Sequence, residues 1–311
     1  MHRDNNLSTW RLLRQEYLLL IAGIGLIVIH LTLVSRANDD SLLANSFLYW
    51  LAIGSLVWSK RAALRFGSDL LSSLFALSLL GLVLLKSAFM VGYDPFLRVA
   101  PFVSALGLAL LASGLRGVGQ YWKMLLVLVF LTPPPTVLTQ IVNLSPVTAK
   151  FSAALLWYSG FDVVRQGTYV LLPKGGIEVV AGCSGVENMA HLLGLSVLFL
   201  LLFEIRRADR VWVPIVAVML AYLVNGVRVA LMAYLVAAHG KNVFEYWHKG
   251  EGSLLFSMFT VALFAGFCWF LMCRADSDDD ELFDSIPDSA SDITPNIPEV
   301  DALKQTQSAK S

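Results

Sequence analysis

Eight apolar runs, roughly 17–34, 42–58, 69–92, 97–115, 118–134, 186–205, 211–238 and 253–272, constrain this chain more than any other feature. A bilayer core is about 30 Å thick, and a helix needs about 20 mostly apolar residues to cross it. The chain is 57% hydrophobic, with a mean hydropathy of +0.67, too apolar for a soluble domain. The expected fold is an all-α polytopic membrane protein of about eight transmembrane helices. No clear small-x-small cleavage site follows the first run, which is therefore read as a retained span rather than a signal peptide.

The overall charge balance hides a division. Residues 276–301 hold ten acidic residues and no Lys or Arg, so residues 1–275 carry 21 basic against 13 acidic, a net of +8. The expected organisation is a multi-pass membrane domain over 1–275 and an acidic, disordered cytoplasmic tail over 276–311. Cytoplasmic loops collect Lys and Arg. With the N-terminus inside, twelve basic residues fall in inner segments and seven in outer ones, and Arg206-Arg-Ala-Asp-Arg210 is the strongest single vote. Both termini are then cytoplasmic, with loops 136–185 and 239–252 outside. A plasma (inner) membrane location follows. No nucleic-acid partner is expected.

The outer segment 136–185 follows Pro133-Pro134-Pro135, which cannot continue a helix. Residues 147–159 are predicted as a short interfacial or re-entrant helix with Trp157 and Tyr158 near the headgroups. Two β-prone runs then flank Gly175-Gly176, which reads as the turn of a small extracytoplasmic hairpin. That hairpin feeds into Gly182-Cys183-Ser184-Gly185, where glycines permit a tight turn into a helix starting near Val186.

Three residues on that outer side carry chemistry. Cys183 lies at a helix N-terminus, where the dipole and unpaired N–H groups favour a thiolate and could hold an oxyanion. Its bland alternative is a small thiol filling a turn. Arg228 lies 17 residues along its span, about 25 Å at 1.5 Å per residue, in the outer third. An arginine there costs about 2.5–3.5 kcal/mol unless it snorkels, finds a partner or faces a wet cavity. Asn225 stands one turn earlier on nearly the same face. His248, in the loop before the last span, can move protons near neutral pH, and His239 competes for that role. Glu187 and Asn188 extend the polar stripe below Cys183 and are a possible substrate slot. His191 is expected to hydrogen-bond inside the bundle, with Glu187 at i−4 as its candidate partner. Lys86 has no evident partner. The three cysteines imply no disulfide framework and no metal-ligand spacing.

In order and spacing these residues resemble the exosortase/archaeosortase family: Cys183-Ser-Gly opening a span, Asn225-Gly-Val-Arg228 in the next, and Trp247-His248 with Gly252 before the last. The approach to the cysteine, a proline cluster, a short amphipathic stretch and a strand pair ending in Glu178-Val-Val-Ala-Gly-Cys-Ser-Gly185, is similar too. The likeness covers about residues 118–272, and the first four spans fit only in being hydrophobic. Many bacterial members have Cys-Ser-Gly-Leu-Arg where this chain has Cys183-Ser-Gly-Val-Glu187, so it looks more like the cyanobacterial branch.

The resemblance implies a membrane-embedded cysteine protease or transpeptidase acting from the extracytoplasmic side. Its partners would be exported proteins with a C-terminal Pro-containing (PEP-CTERM-like) sorting helix and an acyl acceptor of unknown identity. It assigns Cys183 as acyl-thioester nucleophile, Arg228 as oxyanion stabiliser or proton donor, and His248 as proton shuttle or transition-state stabiliser. No cofactor or metal is required. Two other readings stay open. Gly182-Cys-Ser184-Gly185 also fits a rhomboid-like serine protease using Ser184. A transporter or scaffold could use Glu187, Asn225 and Arg228 as a polar pathway.

Overall fold

The computed structural model describes residues 4–240, 247 and 251–284, with side chains over 16–134, 137–240, 247 and 255–274. Ten α-helices and three short strands follow one another among these residues. The first four helices are α1 (Asp4–Arg36), α2 (Asp40–Lys60), α3 (Leu70–Ala88) and α4 (Phe96–Gly117). Aspartates start two of them. The Asp39 carboxylate accepts from Leu42 N at 2.9 Å at the head of α2, and Asp69 accepts from Ser72 N at 3.2 Å at the head of α3, so each satisfies an N–H that the helix cannot pair.

Six described helices are long and apolar enough to cross a membrane: Glu16–Arg36, Asp40–Ala63, Leu70–Ala88, Phe96–Val129, Trp212–His239 and Leu255–Arg274. The polytopic all-α fold holds, with a different count from the eight expected spans. The stretch read as two spans, 97–115 and 118–134, is one apolar segment broken at Gly114, whose φ of 65° no helix interior contains. After a 3₁₀ turn, α5 (Trp122–Val129) packs back against α4 and α2. At eight residues, about 12 Å, it is too short to span. Prolines 133–135 end this region, and α6 (Pro135–Ile141) begins on one of them, at the position where a missing N–H costs nothing.

The short helix expected over 147–159 is α7 (Ser145–Tyr158), with Trp157 and Tyr158 exposed at its end. A three-stranded antiparallel sheet follows: β1 (Val164–Gln166), β2 (Tyr169–Leu172) and β3 (Gly175–Glu178), in that order. This corrects the expected hairpin. Leu172 pairs with Gly175, so the turn is Pro173-Lys174 and both glycines lie inside β3. Packing explains one of them: a Cβ on Gly176 would overlap the Val170 carbonyl and Leu171, whereas one on Gly175 would make only ordinary contact with Ala237.

The last helices are α8 (Val186–Leu202), α9 (Trp212–His239) and α10 (Glu251–Asp284). Three apolar clusters organise the described residues before 268, the smallest of them Leu26, Leu80 and Val83 between α1 and α3, with α4 packed against it. The largest joins α1, α2, α4 and α5, and takes in Leu198 of α8. The third joins α7, the sheet, α9 and Cys183. Helix α8, packed against α9 on one side and against α2 and α5 on the other, connects these last two.

Candidate active site

The chain reaches the site through β3. Past Glu178 it enters a single 3₁₀ turn, Ala181–Cys183, then Gly185 at φ 89° swings it into α8. Only glycine takes that φ without strain, and space demands it too, because a Cβ would lie 2.7 Å from Asn225 Nδ2. Cys183 is thereby held at the mouth of α8 and is 7% exposed.

Side chains from two neighbouring helices lock this turn. Asn225 of α9, 2% exposed, donates through Nδ2 to the Cys183 carbonyl at 3.0 Å. Thr148 of α7 donates to the Ser184 carbonyl at 2.8 Å, and Ser152, one turn on, donates to the Gly226 carbonyl at 2.9 Å. Gly226 is pressed so closely by Phe151 that a side chain there would overlap the ring. Helix α7 thus fastens the cysteine turn and the α9 backbone from one hydroxyl-bearing face.

A pocket of about 280 Å³ opens beside the turn, lined by Val180, Gly182, Cys183, Gly185, Glu187, Asn188, Asn225 and Arg228. Five of the sequence candidates meet here: Cys183, Glu187, Asn188, Asn225 and Arg228. Helices α8 and α9 bring them together by running antiparallel, the first turn of α8 facing the second half of α9. Asn225 also serves as a clamp on the Cys183 backbone, a role beyond the substrate slot expected of it.

Burial pushes the Cys183 thiol up from its usual range, while the Arg228 guanidinium pulls it the other way. Desolvation is the larger of the two influences. The N–H groups of Cys183 and Ser184 are also engaged within the turn, with Val180 and Ala181 carbonyls at 2.8 and 3.2 Å. Backbone donors that the turn does not use therefore begin at Gly185, where α8 opens with amides its own helix cannot pair.

Other candidates fall elsewhere. His191 Nε2 lies 3.6 Å from Glu187 Oε1, the pairing expected of it. Its Nδ1 lies 3.5 Å from Asn45 Nδ2 of α2. His239 is exposed at the end of α9, eleven residues past Arg228, about 16 Å along the axis. His248 lies outside the described residues. Its neighbour Trp247 packs against the apolar cluster that contains Cys183. Lys86, without a partner in the sequence reading, pairs with Asp94 at 3.0 Å just past the end of α3. Ser184, the alternative nucleophile, is 1% exposed, turns its hydroxyl back to the Ala181 carbonyl and does not line the pocket. Among the described residues no group of His, Cys, Asp or Glu has the arrangement of a metal site.

Thr148 and Ser152 escaped the sequence reading. Their signal was the spacing Ser145, Thr148, Ser152, one polar stripe on an otherwise apolar helix.

No curated protein and no solved structure matches this chain. A family model does, described as Transmembrane exosortase (Exosortase_EpsH), over residues 37–265. That match begins well before residue 118, so α2, α3 and α4 belong to the family pattern and are more than hydrophobic filler. The chain belongs to the transmembrane exosortase family.

Proposed function

We propose that this protein is a cysteine-dependent peptidase and transpeptidase that cleaves exported proteins at a C-terminal Pro-containing sorting signal and transfers them through an acyl-thioester. Family membership makes it a membrane protein of the sorting-related peptidase or transpeptidase kind. The observation that carries the finer reading is the convergence of Cys183 and Arg228 in one pocket, from separate helices.

The substrate helix docks beside α8 and α9 with its scissile peptide at the pocket. His248 takes the proton of Cys183, and the thiolate attacks the peptide carbonyl carbon, forming the C–S bond. The oxyanion faces the Arg228 guanidinium and the first amides of α8. As the intermediate collapses the C–N bond breaks, and the leaving amine takes the proton from His248. Arginine is too weak an acid at neutral pH to supply it, and the packing of Trp247 against the Cys183 cluster supports a role for its neighbour. Water or an acceptor nucleophile then attacks the thioester carbon and releases the Cys183 sulfur. The basic connection Arg206–Arg210 between α8 and α9 supports a cytoplasmic side for that loop, which puts the pocket at the outer ends of these helices and, after the last span, the tail over 276–311 in the cytoplasm.

The test is co-expression with a model substrate carrying a Pro-containing C-terminal sorting helix, followed by substrate mass. Cys183→Ala abolishes processing and Ser184→Ala retains it. Normal processing by Cys183→Ala would overturn the mechanism. Loss with Ser184→Ala alone would move the assignment to a serine protease.

A further inference from the structure

In the second half of the proposed reaction an acceptor, water or an amine, attacks the thioester carbon and has to lose a proton as it does so. A base inside the pocket makes that step fast. Cys183 is blocked by the acyl group at that stage. The Asn188 and Asn225 amides and the Arg228 guanidinium line the same pocket but are no bases at neutral pH. Among the described lining residues, Glu187 is then the side chain able to take the proton. Its side chain is 39% exposed, so the carboxylate is open to the pocket and not sealed inside α8.

Glu187 is held from behind. His191, one turn further along α8, brings Nε2 to 3.6 Å from Glu187 Oε1, and Asn45 of α2 brings Nδ2 to 3.5 Å from His191 Nδ1. An amide nitrogen only donates, so with Asn45 in this orientation Nδ1 accepts and the ring proton sits on Nε2, facing the carboxylate. In that tautomer the ring orients Glu187 without competing for an incoming proton, and Oε2 is the oxygen left to the nucleophile. The dipole at the head of α8 accounts for an acid in its first turn. It does not account for a histidine set behind that acid and an amide brought from α2 to hold the histidine.

We propose that Glu187 is the general base of the resolving step, with His191 and Asn45 as its positioning residues. The inference rests on the thiol reading of this site. The acceptor's oxygen or nitrogen bonds to the thioester carbon as its proton passes to Glu187. The tetrahedral intermediate then collapses, the C–S bond breaks, and the departing Cys183 sulfur takes the proton back from Glu187. Protons and charge balance over the step, and the site returns to its starting form. Arg98 of α4 and Arg228 of α9 act on the same carboxylate through space, and neither accepts a proton. Cleavage and resolution then answer to different residues, the first to the His248 loop and the second to Glu187.

The two halves can be separated with p-nitrophenyl acetate, which needs no sorting signal. Attack by Cys183 releases p-nitrophenolate and leaves an acetyl-thioester, which clears by hydrolysis. In the full-length protein in lipid nanodiscs, the p-nitrophenolate burst reads the first half. Intact mass after an acid quench, compared with Cys183→Ala, reads the second. Glu187→Gln should keep the burst near its wild-type rate and clear the acetyl group on the order of a hundredfold more slowly. His191→Gln should slow clearance less. The double variant should be no slower than Glu187→Gln alone, as a residue acting through Glu187 requires. Hydroxylamine attacks thioesters without help from a base, so it should restore clearance in Glu187→Gln to the wild-type level, a rescue that a merely structural defect would not show. Clearance at the wild-type rate in Glu187→Gln would overturn the proposal. So would an equal slowing of burst and clearance, or a defect that hydroxylamine leaves in place. If wild-type Cys183 forms no acetyl-thioester at all, the thiol reading itself falls and takes the proposal with it.

Discussion

At the scale of single residues, Asn225 shows how one amide can serve both fold and chemistry. It donates to the Cys183 carbonyl from a buried position. Asn225→Ala leaves that carbonyl without its donor, at a cost of about 1–3 kcal/mol. The expected outcome is a lower unfolding midpoint together with slower thioester formation, read by thermal unfolding and single-turnover cleavage. The raised Cys183 pKa gives a second expectation. An acid whose pKa is raised ionises later, so alkylation of the wild type should keep climbing with pH beyond the range of an ordinary thiol. Arg228→Gln removes an opposing charge and should move the midpoint further up. Sequence reasoning reached Cys183, Asn225 and Arg228 because polar groups within a membrane are expensive and stand out against Leu and Val. It passed over Thr148 and Ser152 because a hydroxyl can bond its own helix backbone at little cost, so such residues in an apolar helix announce nothing until a partner carbonyl is seen.

Among elements, the hinge between β3 and α8 is the most tightly specified. Gly185→Ala adds both a left-handed backbone penalty and an overlap with Asn225, together worth about 1–3 kcal/mol. Activity should fall along with stability, whereas Gly182→Ala, with open space around it, should leave the unfolding midpoint near wild type; thermal unfolding of the two variants checks this. The spans were legible from hydropathy because lipid forces long apolar helices. The turn of the sheet was not. Gly175-Gly176 carries the usual signature of a hairpin turn, but Gly176 answers to close packing from Val170 and Leu171 across the strand. The break at Gly114 was missed for a similar reason: both segments around it are apolar, and hydropathy does not register a change in φ.

For the whole molecule, the proposed orientation is open to direct test. A green fluorescent protein fused after Ser311 should fluoresce, and alkaline phosphatase inserted at the β2–β3 turn should be active, as expected of cytoplasmic and exported sites respectively. Removing residues 276–311 should leave substrate processing at the wild-type level, since the pocket is built wholly from residues before 229. The family match over 37–265 means that α2, α3 and α4 travel with the site. The physical link is α8, which shares one core with α2 and α5 through Leu198 and packs against α9 on its other side.

The length of α8 has a further consequence. Its 17 residues measure about 26 Å, several ångströms less than the hydrocarbon thickness they must cross. Helix α9 beside it has 28 residues, about 42 Å. The bilayer next to α8 must therefore thin, or water must follow the chain inward to Cys183. A substrate helix arriving from thicker lipid would find its outer end uncovered there, where its peptide bonds become accessible. Turnover in vesicles of short-chain lipids should then exceed turnover in long-chain ones, and acyl-chain length becomes a handle on the reaction.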